Sequence, residues 1–393
     1  MMTLWPPRRA AARVGATPPA VPARPGGRVR GPFVTTALLA SAALLAAGAA
    51  GAAEIVVRPQ GPGHLPIQDA LERARAGDVV LVEPGNYRER LEIPSGVTLR
   101  SRAGAARTVI QGDGTGSILL VRAADTLVTI EGFTFLGGGA TGILGRGLAG
   151  GGAILCDESN VVIRRNVFRA NRLPGRNAVG GAVAIFGGYV SIEDNRFEDN
   201  MAVRGGGLYV RGHARVVGNE FVRNRCSQYG GGLYVERAVG VVERNIFRTN
   251  FAGWGGGLCV GRLTEVKVFR NTLVENHSVQ WGGAMFVLES EPTVERNLLL
   301  GNTSDFRGGG FASGAFGFPV LRDNLGWNNR PFNFFYAEDT LDIAGSVEQL
   351  EADPKLADYV RGDLHPRRGG PAAGPRGPIG ALDPVDRPLR PKR

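Results

Sequence analysis

Two short segments alternate along the middle of the chain, and this repeat constrains the fold more than any other feature. One segment reads NVFRAN, NRFEDN, NEFVRN, NIFRTN, NTLVEN and NLLLGN, and the other reads GGAILC, GGAVAI, GGGLYV, GGGLYV, GGGLCV, GGAMFV and GGGFAS. Copies of the first segment begin 24 to 29 residues apart. A unit this short cannot bury its apolar side chains alone, so the copies have to stack on one another.

Apolar residues alternate with a period of two inside each repeat, which is typical of β-strands. The positions expected to face the interior are Ile163, Ile192, Val216, Val242, Val268, Val294 and Leu321 before the first asparagine, Phe168, Phe197, Phe221, Phe247, Leu273 and Leu299 after it, and Ile154, Val183, Leu208, Leu233, Leu258, Met285 and Phe311 after the glycines. The sequence therefore predicts an all-β, single-stranded right-handed parallel β-helix, a solenoid, over residues 54–345.

The repeated asparagines and glycines have a structural interpretation in such a stack. The asparagines are Asn166, Asn195, Asn219, Asn245, Asn271, Asn297 and Asn324, each followed five residues later by another, Asn171, Asn200, Asn224, Asn250, Asn276, Asn302 and Asn329. We expect them at corners, because asparagine tolerates left-handed φ and its amide can bond the amide of the next coil. We expect the glycines at a second corner, where there is no room for a Cβ atom.

The start of the repeat region is expected to be closed by a helix. Residues Ile67 to Arg75 place Ile67, Ala70, Leu71 and Ala74 on one side, and Gly77 follows as a stop signal. Such a helix would cover the first coil, whose strand edges would otherwise be open to aggregation.

The two ends of the chain differ from the middle. Residues 1–53 contain arginines but no acid, then an apolar run over 33–47 and small residues over 48–53, which is the order of a secretory signal. The sequence therefore predicts an exported protein that is secreted, periplasmic or on the cell surface, with membrane contact only if this segment is retained. Residues 346–393 are predicted to be a C-terminal extension that ends in a loose basic tail from residue 366.

Charge and cysteine content limit the partners. The net charge is +10, but most of the excess lies in the two ends and the middle is near neutral, so no nucleic-acid partner is expected. The three cysteines, Cys156, Cys226 and Cys259, have neither metal-ligand spacing nor an even count. We expect them to be buried thiols.

Several segments resemble a known family. The stretch IQDALERARAGDVVLVEPGNYRERLEI resembles the opening of bacterial pectin-lyase-like β-helix proteins, and ADPKLADYVRGDLHPRRGGPAAGPRGPIGALD resembles the closing motif of many exported members. The alternating GGA(I/L) and FxxN elements are similar to the repeats of chlamydial polymorphic outer-membrane proteins. The resemblance covers residues 54–384 and implies the fold. It leaves the function open, because the superfamily includes lyases, hydrolases, epimerases, adhesin passengers and scaffolds, and no lyase signature is intact here.

The residue before each glycine run forms the first candidate site. In a regular stack Arg204, Tyr229, Trp254, Trp281 and Arg307 occupy one column. Aromatic rings in a row can stack on sugars, and arginines can donate to carboxylates, so these five residues are the predicted substrate-binding residues. The alternative is that the rings pack on one another to close a corner of the coil.

Candidate catalytic residues are weaker. Arg244, Arg270 and Arg296 would form a basic stripe on an outer face, along which an acidic sugar could lie; the alternative is a solvated face of mixed charge. His277 and Asp305 lie in the turns and could act as an acid/base pair.

No metal site and no cofactor are expected. Under a lyase mechanism Ca²⁺ would be needed, and the one grouping that could be proposed for it is Glu193, Asp194, Glu198 and Asp199.

The leading functional hypothesis is an exported binding or scaffold protein that holds polysaccharide or a cell-surface component along one turn side. The alternative is a polysaccharide lyase or glycoside hydrolase, and a third hypothesis is a rigid spacer with no site. The sequence does not indicate the saccharide or the oligomeric state.

Overall fold

The computed structural model of the protein describes residues 52–59, 65–139, 141–143, 147–314, 316–336, 349–374 and 376–385. These residues form a parallel β-solenoid, so the predicted fold class is confirmed. The predicted secretory signal lies outside the described residues, apart from residues 52 and 53.

The largest sheet, which we call the long sheet, runs the length of the solenoid. Its strands are Glu54–Val57, Val79–Val82, Leu91–Glu92, Thr98–Ser101, Leu119–Arg122, Val128–Glu131, Ile154–Asp157, Val161–Arg164, Val183–Glu193, Leu208–Val217, Leu233–Glu243, Leu258–Gly261, Glu265–Phe269, Met285–Val287, Thr293–Glu295, Phe311–Ser313, Val320–Arg322 and Phe334–Tyr336. Equivalent positions of successive repeats pair in register, for example Leu208 with Leu233 and Leu233 with Leu258.

Two further parallel sheets complete the coils. The second sheet consists of Gly85–Tyr87, Thr108–Gln111, Thr134–Leu136, Val167–Arg169, Arg196–Glu198, Glu220–Val222, Ile246–Arg248, Thr272–Val274, Leu298–Leu300 and Leu325–Trp327. The third sheet consists of Met201–Ala202, Arg225–Cys226, Phe251–Ala252, His277–Ser278 and Thr303–Ser304. A small sheet of Thr141–Ile143, Leu148–Gly150 and Ala178–Val179 lies outside this pattern and contains an antiparallel pair.

The two asparagine columns form buried ladders at the corners on either side of the second sheet. Asn245 donates from its backbone N and from Nδ2 to Oδ1 of Asn271, at 3.0 Å each, and the same Nδ2 reaches the carbonyl oxygen of Val216 at 2.9 Å. The ladders were predicted, but the expected left-handed backbone conformation of the asparagines was not found. The left-handed residue is the one before each asparagine, such as Arg270 with φ 52° or Glu275 with φ 53°. The asparagine itself turns inward to bond, so its neighbour makes the turn.

The glycine runs form the predicted crowded corner. The first glycine of each run has positive φ, for example 69° at Gly230. A Cβ atom on the second, at Gly231, would lie 2.3 Å from the carbonyl oxygen of Gly256 in the next coil. Only glycine fits this close approach of two backbones.

The interior is a continuous stack of like side chains. Phe168, Phe197, Phe221 and Phe247 are fully buried, and neighbouring rings are stacked with centroids 4.7 to 4.8 Å apart. This spacing matches the distance between adjacent strands of a sheet, so each ring lies directly over the next.

A short helix closes the N-terminal end. It spans Ile67–Arg73, two residues shorter than predicted, and buries Ile67, Ala70 and Leu71 against the first strands. The chain leaves the helix at Ala74 in an extended conformation, so Gly77 makes a later turn with φ 98° and is not the cap. Within the described residues no helix is long and apolar enough to cross a membrane.

The C-terminal segment, residues 349–374 and 376–385, lies along the second sheet, and we call it the strap. It contains strands Leu356–Asp358 and Asp363–Pro366, paired antiparallel, and 3₁₀ turns at Tyr359–Arg361 and Pro371–Ala373. Its buried side chains Leu356, Leu364, Ala372 and Ile379 pack on Val274, Leu298, Leu300 and Leu325. The structure thus differs from the expected loose tail over residues 366–374 and 376–385, because the outward side chains of these strands are apolar and need a cover.

Candidate functional site

The segments that connect the second asparagine ladder to the glycine runs form one lateral surface, which we call the turn face. It comprises residues 172–179, 201–204, 225–229, 251–254, 277–281, 303–307 and 330–333. The five predicted substrate-binding residues all lie there, in one column. Tyr229 pairs with Trp254 and Trp281 with Arg307 as parallel bridges, and the amide of Gly255 donates to the carbonyl oxygen of Trp281 at 3.0 Å.

The aromatic rings of this column are half-buried. The rings of Tyr229 and Trp254 lie 5.2 Å apart at their centroids, inclined by 30°. Trp281 makes edge-on contacts with Phe286 and Phe335 at 6.1 and 5.7 Å. Burial raises the pKa of the Tyr229 hydroxyl above its ordinary value of 10. The rings therefore close a corner of the coil and keep part of their surface exposed, so the sugar-binding interpretation stays a prediction.

These rings rest on a second apolar cluster outside the solenoid core. Its buried members include Tyr209, Tyr234, Cys259 and Phe286, which point outward from the long sheet. The ring of Tyr229 is stacked on that of Tyr234, with centroids 5.5 Å apart. The chain folds back tightly at the glycine run. Tyr229, which precedes the run, therefore lies over Tyr234, the second residue after it.

A buried carboxylate ties this platform together. Glu236 accepts hydrogen bonds from the hydroxyl groups of Tyr209 and Tyr234 and lies 3.5 Å from Nε of Arg211. Burial, followed by the nearby Glu236, raises the pKa of Tyr209 far above 10. Tyr209 is fully buried and the side chain of Glu236 is about nine-tenths buried. This network fixes the base on which the aromatic column lies.

A second outward column runs beside the aromatic one on the third sheet. Arg225 lies over the ring of Phe251 with Cζ 5.7 Å from its centroid, and that ring is stacked on His277 at 5.4 Å. Nδ1 of His277 lies 2.9 Å from the hydroxyl of Thr303, and its Nε2 lies 3.6 Å from Oδ1 of Asp305. His277 and Asp305 therefore lie close together on an exposed surface, and their role as an acid/base pair stays a prediction.

Between the two columns lies a shallow depression. It is lined by Gly175, Arg176, Val203, Ser227 and Gln228, and it borders the first rungs of the aromatic column because Val203 precedes Arg204 and Gln228 precedes Tyr229.

The predicted basic stripe of Arg244, Arg270 and Arg296 is in a different situation. Asp383 of the strap accepts from Arg270 at 2.6 Å and from Arg244 at 3.3 Å, and Arg296 donates to the carbonyl oxygen of Gly377. Hydrogen bonding by Arg270, together with the charge of Arg244, holds the pKa of Asp383 below its ordinary value of 3.8. The strap thus lies over part of this stripe: Arg270 and Arg296 are half-buried, and Arg244 stays exposed. The stripe is therefore less open to a substrate than either sequence interpretation implies.

The acidic residues considered for Ca²⁺ are not brought together as a metal site. Glu198 is held by Arg196, Arg169 and Arg223, which lower its pKa to about 2, while Glu193 pairs with Arg215 at 2.6 Å. Asp199 pairs with Arg223. In the part of the chain that the structure describes, no group of three or more histidine, cysteine, aspartate or glutamate residues is arranged to hold a metal ion.

The fold and the repeat define the class: the protein is a right-handed parallel β-helix. A family model described as "Right handed beta helix region" matches residues 187–341. No curated protein matches the sequence.

Solved structures match this chain at low identity and with low TM-scores. The A-module of the Azotobacter vinelandii mannuronan C-5 epimerase AlgE4 is 13% identical with a TM-score of 0.31, covering 72% of this chain and 91% of that one. The A-module of AlgE6 from the same organism is 14% identical with a TM-score of 0.35, covering 73% and 94%. The catalytic domain of a GH87 α-1,3-glucanase is 9% identical with a TM-score of 0.30, covering 76% and 68%.

Sequence reasoning missed the supporting residues of the site. Tyr209, Tyr234 and Glu236 read as ordinary outward positions of a strand, and nothing in the repeat indicates that the rings of the next corner cover them. The signal that could have found them is their spacing, since Tyr234 follows Tyr229 by five residues across a glycine run.

Proposed function

We propose that this protein is an exported binding or scaffold protein that holds polysaccharide along its turn face. One observation carries the proposal: Tyr229, Trp254 and Trp281 stand in register on three consecutive coils, half-exposed, with Arg204 before them and Arg307 after them. Flat rings supply apolar area at little cost in side-chain entropy, and the flanking arginines supply hydrogen-bond donors.

The platform beneath the rings favours binding because it is pre-formed. The Glu236 network and the packing of Trp281 on Phe286 and Phe335 hold the rings before any ligand arrives. A rigid surface loses little conformational entropy on binding, which favours affinity. A long polymer would lie across the rungs, parallel to the axis of the solenoid.

The test is affinity gel electrophoresis of the whole protein against a panel of soluble polysaccharides. We expect at least one polysaccharide to retard the parent protein, and the double variant Trp254→Ala/Trp281→Ala to lose about tenfold or more in affinity, since each ring contributes on the order of 1 kcal/mol. The matched control is Trp327→Ala, because Trp327 is 40% exposed on the second sheet, away from the turn face. It should bind as the parent does.

Loss of packing has to be separated from loss of binding. Circular dichroism and thermal unfolding report whether the double variant is folded, and Trp254→Phe/Trp281→Phe preserves much of the packing and should retain part of the affinity. A folded alanine variant that binds every polysaccharide as tightly as the parent would refute the proposal.

The alternative function, a polysaccharide lyase or glycoside hydrolase, is favoured by one observation, the approach of His277 to Asp305 beside Trp281. A lyase would generate unsaturated-uronate absorbance and a hydrolase new reducing ends. Either product should disappear in His277→Gln. A protein that gives neither product but is retarded in the gels is a binder, and one that gives neither response is a spacer.

A further inference from the structure

The charges of the turn face are strongly unbalanced. Six arginines lie in its connecting segments, Arg172, Arg176, Arg204, Arg225, Arg307 and Arg330, against one acidic residue, Asp305. Five of the six are exposed and Arg204 is half-buried. The turn face therefore carries a net positive charge, although the middle of the sequence is near neutral overall.

Several arginines elsewhere on the solenoid are neutralised by the chain itself. Arg169, Arg196 and Arg223 converge on Glu198 on the second sheet, and Arg244 and Arg270 share Asp383. None of the six arginines of the turn face has an acidic partner within the described residues. Asp305, the acidic residue of the turn face, lies beside His277 instead, with Oδ1 3.6 Å from Nε2.

Two of these arginines are oriented without using their donors. Arg225 lies on the ring of Phe251, and Cζ of Arg307 lies 5.0 Å from the centroid of Phe335. Stacking holds a guanidinium group by its plane and leaves its N–H groups free. Nε of Arg204 is buried without a hydrogen-bond partner among the described residues. Free, fixed guanidinium donors bind two-oxygen anions in a bidentate manner.

We propose that the ligand of the turn face is a polyanionic polysaccharide that carries repeated carboxylate or sulfate groups. This inference rests on the proposed function and names its ligand class. The sugar rings would lie on the aromatic column while the acidic groups reach the arginines on either side. Successive coils repeat about every 4.8 Å, so a linear polymer can meet a new set of donors at each step.

A polynucleotide fits the same face less well. The rings of Tyr229 and Trp254 are 5.2 Å apart at their centroids, which leaves no gap for a base to insert between them, and both rest on an apolar platform on their inner side. Proteins that bind single-stranded nucleic acid use aromatic side chains on which successive bases stack. The closely packed rings of the turn face do not offer such separate stacking positions.

The experiment measures the affinity of the whole protein for polygalacturonate, dextran sulfate, neutral dextran and single-stranded DNA, each at two salt concentrations. The charge variant is Arg172→Gln/Arg225→Gln/Arg330→Gln, which leaves the aromatic column intact. The matched control is Arg107→Gln/Arg237→Gln/Arg322→Gln, three exposed arginines on other surfaces. Both variants lose three positive charges, so they differ only in where the charge is removed.

We expect polygalacturonate, dextran sulfate or both to bind more tightly than neutral dextran, and added salt to weaken that binding. The charge variant should lose about tenfold or more in affinity and the control less than about twofold. The relative retention of the two polyanions shows whether carboxylate or sulfate is the source of the charge.

Other results separate this inference from the proposed function. Equal binding of neutral dextran, or equal losses in the two arginine variants, overturns the polyanion inference while the Trp254→Ala/Trp281→Ala result still supports polysaccharide binding. Tighter binding of DNA than of any polysaccharide overturns it as well. If no polysaccharide is retained at all, the proposed function fails and this inference fails with it.

Discussion

Two surfaces of the solenoid carry arginines in columns. The arginines of one column are paired with another segment of the chain, and those of the other column are not. At the corner before the second sheet, Arg244, Arg270 and Arg296 contact the strap, and Asp383 together with backbone carbonyl oxygens accepts hydrogen bonds from them. On the turn face, Arg204, Arg225 and Arg307 lack an acidic partner among the described residues, and the rings beside them stay half-exposed.

The difference shows that a basic column alone does not define a binding surface. What matters is whether another part of the same chain satisfies it. The strap is attracted to the second sheet by apolar side chains such as Val274 and Leu298, and its carboxylate then neutralises the stripe. The outward apolar residues of the long sheet beside the glycine runs are covered by the aromatic column itself, and the arginines of the turn face have no acidic partner among the described residues.

The largest expected effect tests the apolar basis of strap docking. Ile379→Ala should weaken docking by about 2–5 kcal/mol, because Ile379 is buried between the strap and the second sheet. The loss of docking is measured by hydrogen exchange at the amides of Gly380 and Ala381, which donate to the carbonyl oxygen of Arg296 and to the hydroxyl of Thr272. Val279→Ala on the exposed turn face is the control and should leave this exchange unchanged. Unaltered exchange in Ile379→Ala would mean that apolar packing does not hold the strap.

A smaller effect is expected beneath the turn face. Tyr209→Phe removes a hydrogen bond to the buried carboxylate of Glu236, which should lower the free energy of unfolding by about 1.5–3 kcal/mol. Urea denaturation measures the change. Tyr189→Phe is the matched control, since Tyr189 is 67% exposed, and it should be neutral. Equal stability of the two variants would contradict the idea that the rings rest on a fixed polar network.

The smallest effect concerns pH. The pKa of Asp383 is held below 3.8 in the docked state by hydrogen bonding from Arg270 and by Arg244. Its contribution to docking is therefore complete above pH 3.8 and is lost as the pH falls through the lowered value. Exchange of the strap amides between pH 5 and pH 2.5, corrected for the intrinsic rate, should increase more in the parent than in Asp383→Asn. Parallel pH profiles in the two proteins would exclude Asp383 as the group that titrates.

Much of the fold could be predicted because the repeat is local and periodic. The interior phenylalanines, the asparagine ladders and the register of Tyr229 with Trp254 follow from placing like on like. The conformation at the corners could not be read this way. The left-handed turn falls on Arg270 and Glu275 instead of on the asparagines that follow them, because an asparagine that bonds inward along the ladder is not free to make the turn as well.

The candidate site also has a predicted part and an unpredicted part. Its aromatic column was predicted from the sequence, whereas the packing of Tyr229 on Tyr234 was not, since it depends on how tightly the chain folds back at Gly230–Gly232. The hydrogen bonds of Arg244, Arg270 and Arg296 depend on a segment more than 80 residues away along the chain. No periodicity encodes a contact of that kind.

By itself the sequence determined the solenoid, its two ladders and the column of rings, because these arise from neighbouring copies of one short unit. Only the tertiary structure decided which arginines are free, because that depends on where a non-repetitive segment finds apolar surface to cover. Short-range repetition sets the scaffold, and long-range burial selects the surface left open to a partner.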